Sequence, residues 1–141
     1  MIPDFNEHGE LPIGAHSCTL EECFERFEFG ERRQYLCERL RAILPEARRC
    51  GFLKLMIGGS FTTRKDRPGD IDMLWITETD VNKDNVSPNC IKYLEDTGQI
   101  YGWSTLYLPI DDDHQRIQSW AQEFGYNSHT ARVQGMIVIN L

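Results

Sequence analysis

Runs of apolar and polar residues divide the chain into helical and extended segments. Between residues 31 and 50, apolar side chains recur every three to four positions, which predicts a long amphipathic helix. A continuous apolar run at residues 52–57 ends at a glycine pair and predicts a buried strand. Residues 70–77 and 100–110 predict two further strands, and the mostly apolar residues 133–141 predict a final one.

Shorter helices are expected around the long one. Thr19 is a good N-cap and Glu22 completes a capping box, so a first helix should run to about Phe29 and end at Gly30. Three more helices are predicted, at about residues 60–65, 89–96 and 112–124. Residues 78–88 and 125–130 are read as loops.

The long helix carries a proline and many arginines. Pro45 is expected to kink or break it, because proline removes a backbone donor. The arginines are expected mostly on its outer, solvated face, paired with neighbouring glutamates. They are Arg32, Arg33, Arg39, Arg41, Arg48 and Arg49.

These elements define an α/β (α+β) fold. We expect a mixed, twisted sheet of about four or five strands flanked by helices. Its length of 141 residues fits one domain, spanning residues 1–141. Pro3 and Pro12 exclude a helix at the start, so residues 1–17 are predicted to form an extended arm over the body.

Composition narrows the possible partners and the compartment. The net charge is −7 and no basic tract stands out, which disfavours extended nucleic-acid binding and favours a free nucleotide or a protein acceptor. Five cysteines without Cys-x-x-Cys spacing predict reduced thiols. No apolar segment has spanning length and no signal-peptide pattern is present, so we expect a cytoplasmic chain without membrane contact.

The candidate chemistry lies between the two central predicted strands. Gly58, Gly59 and Ser60 follow the first strand, and nine residues separate Ser60 from Asp70. Because side chains alternate along a strand, Asp70 and Asp72 should share one face. Two such carboxylates repel each other, and a hard divalent ion such as Mg²⁺ relieves that conflict. Taken alone, an Asp-x-Asp pair can equally be an ordinary solvated strand start.

The combination resembles the signature of the DNA polymerase β-like nucleotidyltransferases. It is most similar to a little-characterised bacterial group of short, single-domain members. The matching core residues are Gly59, Ser60, Phe61, Thr63, Lys65, Pro68, Gly69, Asp70 and Asp72. Near the end of the chain, Gln134 stands where that group usually has lysine.

The resemblance implies a nucleotidyltransferase fold and a site. A nucleoside triphosphate would contact Gly58, Gly59, Ser60, Thr63 and Lys65, and Mg²⁺ would bind Asp70 and Asp72. An NMP would then pass to a protein or RNA acceptor. Such small chains occur in toxin–antitoxin and phage-defence systems, which is the setting that the resemblance implies.

A third carboxylate, usual in this family, is hard to place. Two alignments of the strand at residues 100–110 put its position at Leu106 or at Ser104, and neither is an acid. Asp111 is a weak candidate, since Asp111–Asp113 also fit the cap and first turn of the next helix. The alternative to an enzyme is a catalytically degenerate fold that binds a nucleotide or a protein.

Overall fold

The computed structural model describes residues 1–77, 92, 95–96, 104–109, 114–128 and 130–141. Their helices are α1 (Leu20–Phe27), α2 (Glu31–Arg49) and α3 (His114–Phe124). Their strands are β1 (Ala15–Cys18), β2 (Lys54–Gly58), β3 (Asp72–Thr77), β4 (Ser104–Pro109), β5 (Tyr126–Asn127), β6 (Arg132–Val133) and β7 (Met136–Asn140).

A five-stranded mixed sheet forms the centre of the fold, in the order β1-β7-β2-β3-β4. The central strand β2 runs antiparallel to both of its neighbours, β7 and β3. The outer strands β1 and β4 pair in parallel with β7 and β3. The predicted mixed sheet is therefore confirmed, while β5 and β6 form a separate small hairpin.

Alternation along the strands produces two apolar layers. Leu55 and Ile57 pack with the core beneath α1 and α2, together with Trp75. Met56 and Leu74 point the other way and pack with α3. The sheet is thus covered by helices on both faces, and Trp75 is a core residue.

Local signals placed most helix ends correctly. Thr19 caps α1, and its capping box with Glu22 is present. Helix α2 follows the predicted range, but the expected break at Pro45 was wrong, because the helix continues through it to Arg49. The helix expected at about residues 60–65 is a short 3₁₀ turn at Gly59–Thr62.

The predicted arm differs from the structure at its end. Residues 15–18 leave the arm and join the sheet as edge strand β1, beside β7. The arm proper is therefore residues 1–14. This pairing was missed because a four-residue edge strand beside prolines and glycines carries almost no periodic signal of its own.

Two further expectations were wrong. Arg33, predicted on the outer face of α2, is fully buried. Cys50 is disulfide-bonded, whereas Cys18, Cys23 and Cys37 are free thiols as expected. Of the outer arginines, Arg49 pairs with Glu46 of the same helix, as expected, whereas Arg41 pairs with Glu28, outside α2.

Several predictions fall outside the described residues. They include the loop at residues 78–88, most of the helix at 89–96, and Asp111–Asp113. Lys92, Glu95 and Asp96, within that predicted helix, are helical. Among the described helices, none combines the length and apolarity needed to cross a membrane.

Candidate functional site

The β2–β3 hairpin brings the glycine pair and the second acid together. Gly58, the last residue of β2, lies opposite Asp72, the first residue of β3. A side chain at Gly58 would have its Cβ only 2.8 Å from the methyl carbon of Met136 on β7. Glycine at this position therefore leaves room for the Met136 side chain beside the acid.

Gly59 is required both by its backbone and by the carboxylate beside it. Its φ is +70°, a conformation that favours glycine. A Cβ on Gly59 would lie 2.2 Å from Asp72 Oδ2, too close for any side chain. The turn and the acid thus fit against each other, so the space that a side chain would take is occupied by a carboxylate.

The two predicted acids share one side of the chain. Ile71 and Met73 are buried, while Asp70 is partly exposed and Asp72 is exposed. Asp70 precedes the first residue of β3. The predicted alternation of exposed acids with buried apolar residues nevertheless extends back to Asp70. Loss of hydration by the Asp72 carboxyl raises its pKa, and the nearby charge of Asp70 raises that pKa further.

The pairing of β3 with β4 identifies the residue beside Asp72, where the resemblance leads one to look for the third carboxylate. Asp72 lies opposite Ser104 in the parallel β3–β4 pair, and Leu106 lies opposite Leu74. Of the two alternatives, Ser104 therefore occupies the position beside Asp72, and no carboxylate stands there. Within the described ranges, no cluster of three or more histidine, cysteine or acidic side chains could hold a metal. Asp111 lies outside these residues.

Two carboxylates are nonetheless an acceptable donor set for Mg²⁺. This ion binds through one or two carboxylates and substrate phosphates while keeping several waters. Loss of hydration is the larger cause of the raised pKa of Asp72, and the charge of Asp70 adds to it, a repulsion that a divalent cation would relieve. By donor chemistry, Asp70 and Asp72 would suit Mg²⁺.

Arg33 fixes the loop that follows the glycine pair (the β2–β3 loop, residues 59–71). Its guanidinium donates to the backbone carbonyls of Phe61 at 2.6 Å, Thr63 at 2.7 Å and Lys65 at 2.8 Å. It also donates to the carbonyl of Phe27. Burial lowers the pKa of Arg33 to about 10, so the group remains charged at neutral pH.

Arg32 extends this arrangement to the far end of the loop. It donates to the carbonyls of Pro68 and Gly69, immediately before Asp70. Sequence reasoning missed both roles. The sequence did contain one indication of these roles. Both arginines lie in the first turn of α2, where a positive charge is unfavourable next to the helix dipole, so their presence there indicates a contact outside the helix.

The other predicted ligand residues face a groove on the arm side of the turn. Ser60 and residues 63–65 form one wall, residues 8–10 of the arm form another, and Asn127 and Gln134 complete it. This arm groove has a volume of about 350 Å³. Three of the five predicted nucleotide contacts, Ser60, Thr63 and Lys65, therefore line one cavity.

The arm is attached directly to the β2–β3 loop. The backbone N–H of Arg64 donates to the carbonyl of Gly9 at 2.9 Å, and Glu10 forms a β-bridge with Thr63. The side chain of Glu10 is buried and forms an ion pair with Arg132 of β6. The arm is thus part of the groove's wall and is held from two sides.

Comparison with known proteins supplies a family. A family model matches residues 3–140, so the chain belongs to DUF6932, a family of unknown function. No curated protein matches the chain, and no solved structure matches it.

Proposed function

We propose that the protein is a Mg²⁺-dependent nucleotidyltransferase that passes an NMP from an NTP to a protein or RNA acceptor. The observation that carries this proposal is the fit of the Asp72 carboxylate against Gly59. This fit sets the acid that we propose to bind metal beside a turn whose next residue, Ser60, lines a polar groove. The nucleotidyltransferase fold is part of the proposal, and the mixed sheet with helices on both faces supports it.

In this proposal, the two acids bind the metal and the residues of the turn bind the triphosphate. Asp70 and Asp72 would hold Mg²⁺, which when bound offsets phosphate charge and polarises the reacting phosphorus centre. Ser60, Thr63 and Lys65 would orient the triphosphate, with Lys65 supplying a positive charge. The acceptor hydroxyl would attack the α-phosphorus, break the bond to the β-phosphate oxygen and lose its proton to solvent as pyrophosphate leaves.

A second candidate is a degenerate member that binds a nucleotide or a protein without catalysis. Ser104 opposite Asp72 favours it, since the position beside the acid pair lacks a carboxylate that would support a second metal. In either case, a toxin–antitoxin or phage-defence setting is part of the proposal, because the resemblance drawn from the sequence implies it.

Binding is tested first by calorimetry with a non-hydrolysable NTP, with and without Mg²⁺. We expect Mg²⁺-dependent binding that Asp70→Asn/Asp72→Asn abolishes. Asp4→Asn, at an exposed acid away from the site, is the matched control and should bind as the parent does. Equal binding by the double variant and the parent would remove the acids from the proposal.

Catalysis is tested by transfer of label from an α-phosphate-labelled NTP to protein or RNA of a cell lysate. The enzyme proposal expects labelled product with the parent chain and none with the double variant. Binding without any transfer would favour the degenerate binding module.

A further inference from the structure

We propose that the arm groove is the seat of the terminal phosphates of the nucleotide, with Gln134 as a direct ligand. The inference rests on the proposed function and extends it to residues that neither the resemblance nor the family assigns. It makes the arm a wall of the binding site and predicts that triphosphates are selected over monophosphates.

The state of Gln134 is the first argument. The residue lines the groove and is only 7% exposed. Its carboxamide forms no hydrogen bond with any residue in the described part of the chain, whereas its backbone N–H donates to Gly125. The carboxamide therefore keeps its donor and acceptor available on the side of the groove, where a ligand would bind them.

The charge of the groove is the second argument. Arg64 and Lys65 are exposed on its wall, and neither forms an ion pair with a described residue. The acid of the same groove, Glu10, is already paired with Arg132. Arg64 lies over the ring of Phe5, but neither cation is paired with an acid in the described part of the chain. In a chain of net charge −7, this favours an anionic ligand.

The chemistry of the lining argues for phosphate rather than a nucleobase. Among the described residues, hydroxyl, amide and cationic groups make up most of the lining of the groove, and His8 carries the one ring there on which a base could stack. Phosphate oxygens accept hydrogen bonds from all three kinds of group.

Continuity with the acids is the final argument. Gly59 touches the carboxylate of Asp72 and Ser60 lines the groove. The Cα atoms of Gly59 and Ser60 are about 3.8 Å apart, as for any residues that follow each other in the chain. A polyphosphate that starts at the Asp70–Asp72 pair and crosses this turn therefore enters the groove.

The test compares the affinities of a non-hydrolysable NTP with Mg²⁺, the matching NMP, and inorganic tripolyphosphate. Gln134→Met and Lys65→Met should each weaken NTP and tripolyphosphate binding roughly ten- to a hundredfold, as for loss of a hydrogen bond to a charged group. Both should leave NMP binding unchanged. Gln134→Glu, nearly identical in shape, should weaken tripolyphosphate binding further through charge repulsion.

Controls separate this inference from the proposed function. Gln34→Met, at an exposed glutamine of α2, should change no affinity, and unfolding curves check that Gln134→Met folds. Because Lys65 is exposed, its variant tests the groove even if Gln134→Met does not fold.

Each outcome then has one meaning. If NTP binding depends on Asp70, Asp72 and Lys65 while the Gln134 variants match the parent, the groove inference is overturned alone. If tripolyphosphate binding depends on Gln134 while no NTP binding depends on the acids, the proposed function fails and the groove remains an anion site. If none of the three probes binds, both are overturned.

Discussion

The β2–β3 loop and the arm are both irregular segments beside the same turn, but they are held in different ways. A fully buried guanidinium and its neighbour Arg32 bind the carbonyls of the loop from inside. The arm is held by several separate contacts: a β-bridge to the loop, an ion pair, hydrogen bonds from Arg26, Gly135 and Met136 to its carbonyls, and the burial of Ile2 and Leu11 in the core. The difference teaches that the loop which carries the acids depends on two cations, whereas the arm wall of the groove is anchored at many independent points.

The largest expected effect is the loss of Arg33. Arg33→Met should lower the free energy of unfolding by at least about 3 kcal/mol, since several buried carbonyls lose their donor at once. Urea denaturation measures this, with Arg48→Met, at an exposed arginine of the same helix, as the control. Equal losses for the two variants would mean that the loop does not depend on Arg33.

Gly59 tests whether the turn must fit the acid. Gly59→Ala should cost about 1–3 kcal/mol through its left-handed backbone. It should also abolish Mg²⁺-dependent nucleotide binding, because a Cβ there displaces the Asp72 carboxylate. Gly69→Ala is the matched control in the same loop, since its Cβ would meet nothing within 4 Å. Nucleotide binding retained by Gly59→Ala would contradict the proposed contact.

Glu10 tests the attachment of the arm. Glu10→Gln should destabilise the chain by about 1 kcal/mol, a modest value because Arg132 is partly exposed. Hydrogen exchange should speed up in the arm while the core strands stay protected. Glu25→Gln, at an exposed acid on α1, should change neither. Faster exchange throughout the sheet would show that the two regions are not independent.

The smallest expected effect is on pH dependence, through Asp72. Its pKa is raised in the folded chain, so ionisation of Asp72 disfavours folding above that pKa. Asp72→Asn should therefore be slightly more stable than the parent at pH 7. This advantage should fade as the pH falls through the raised pKa towards its ordinary value of 3.8. Thermal unfolding of parent and variant at pH 7 and at a pH near 3.8 measures this difference in stability. A variant less stable than the parent at pH 7 would refute the predicted direction.

Local patterns in the sequence predicted much of this architecture. The range of α2 and the capping box at Thr19 both follow from the residues close to each position. The glycine pair also lies beside Asp72, as expected for a site at one end of the two central strands, because the strands on either side of the loop pair directly. The catalytic and ligand roles of these residues stay predictions.

What the sequence did not predict depends on partners far along the chain. Arg33 binds carbonyls about thirty residues away, and a backbone carbonyl carries no mark in the sequence. The groove likewise joins the arm to Gln134, from opposite ends of the chain. Periodicity reports which face of an element is buried, but not which distant groups meet there.

The position of β7 has a consequence for synthesis. Residues 136–140 come late in the chain, yet their strand lies between β1 and β2. While a ribosome is still making them, β2 has one unpaired edge and β1 has no neighbour in the sheet. Nascent chains stalled before residue 136 should therefore expose an unpaired strand edge that promotes aggregation or chaperone binding.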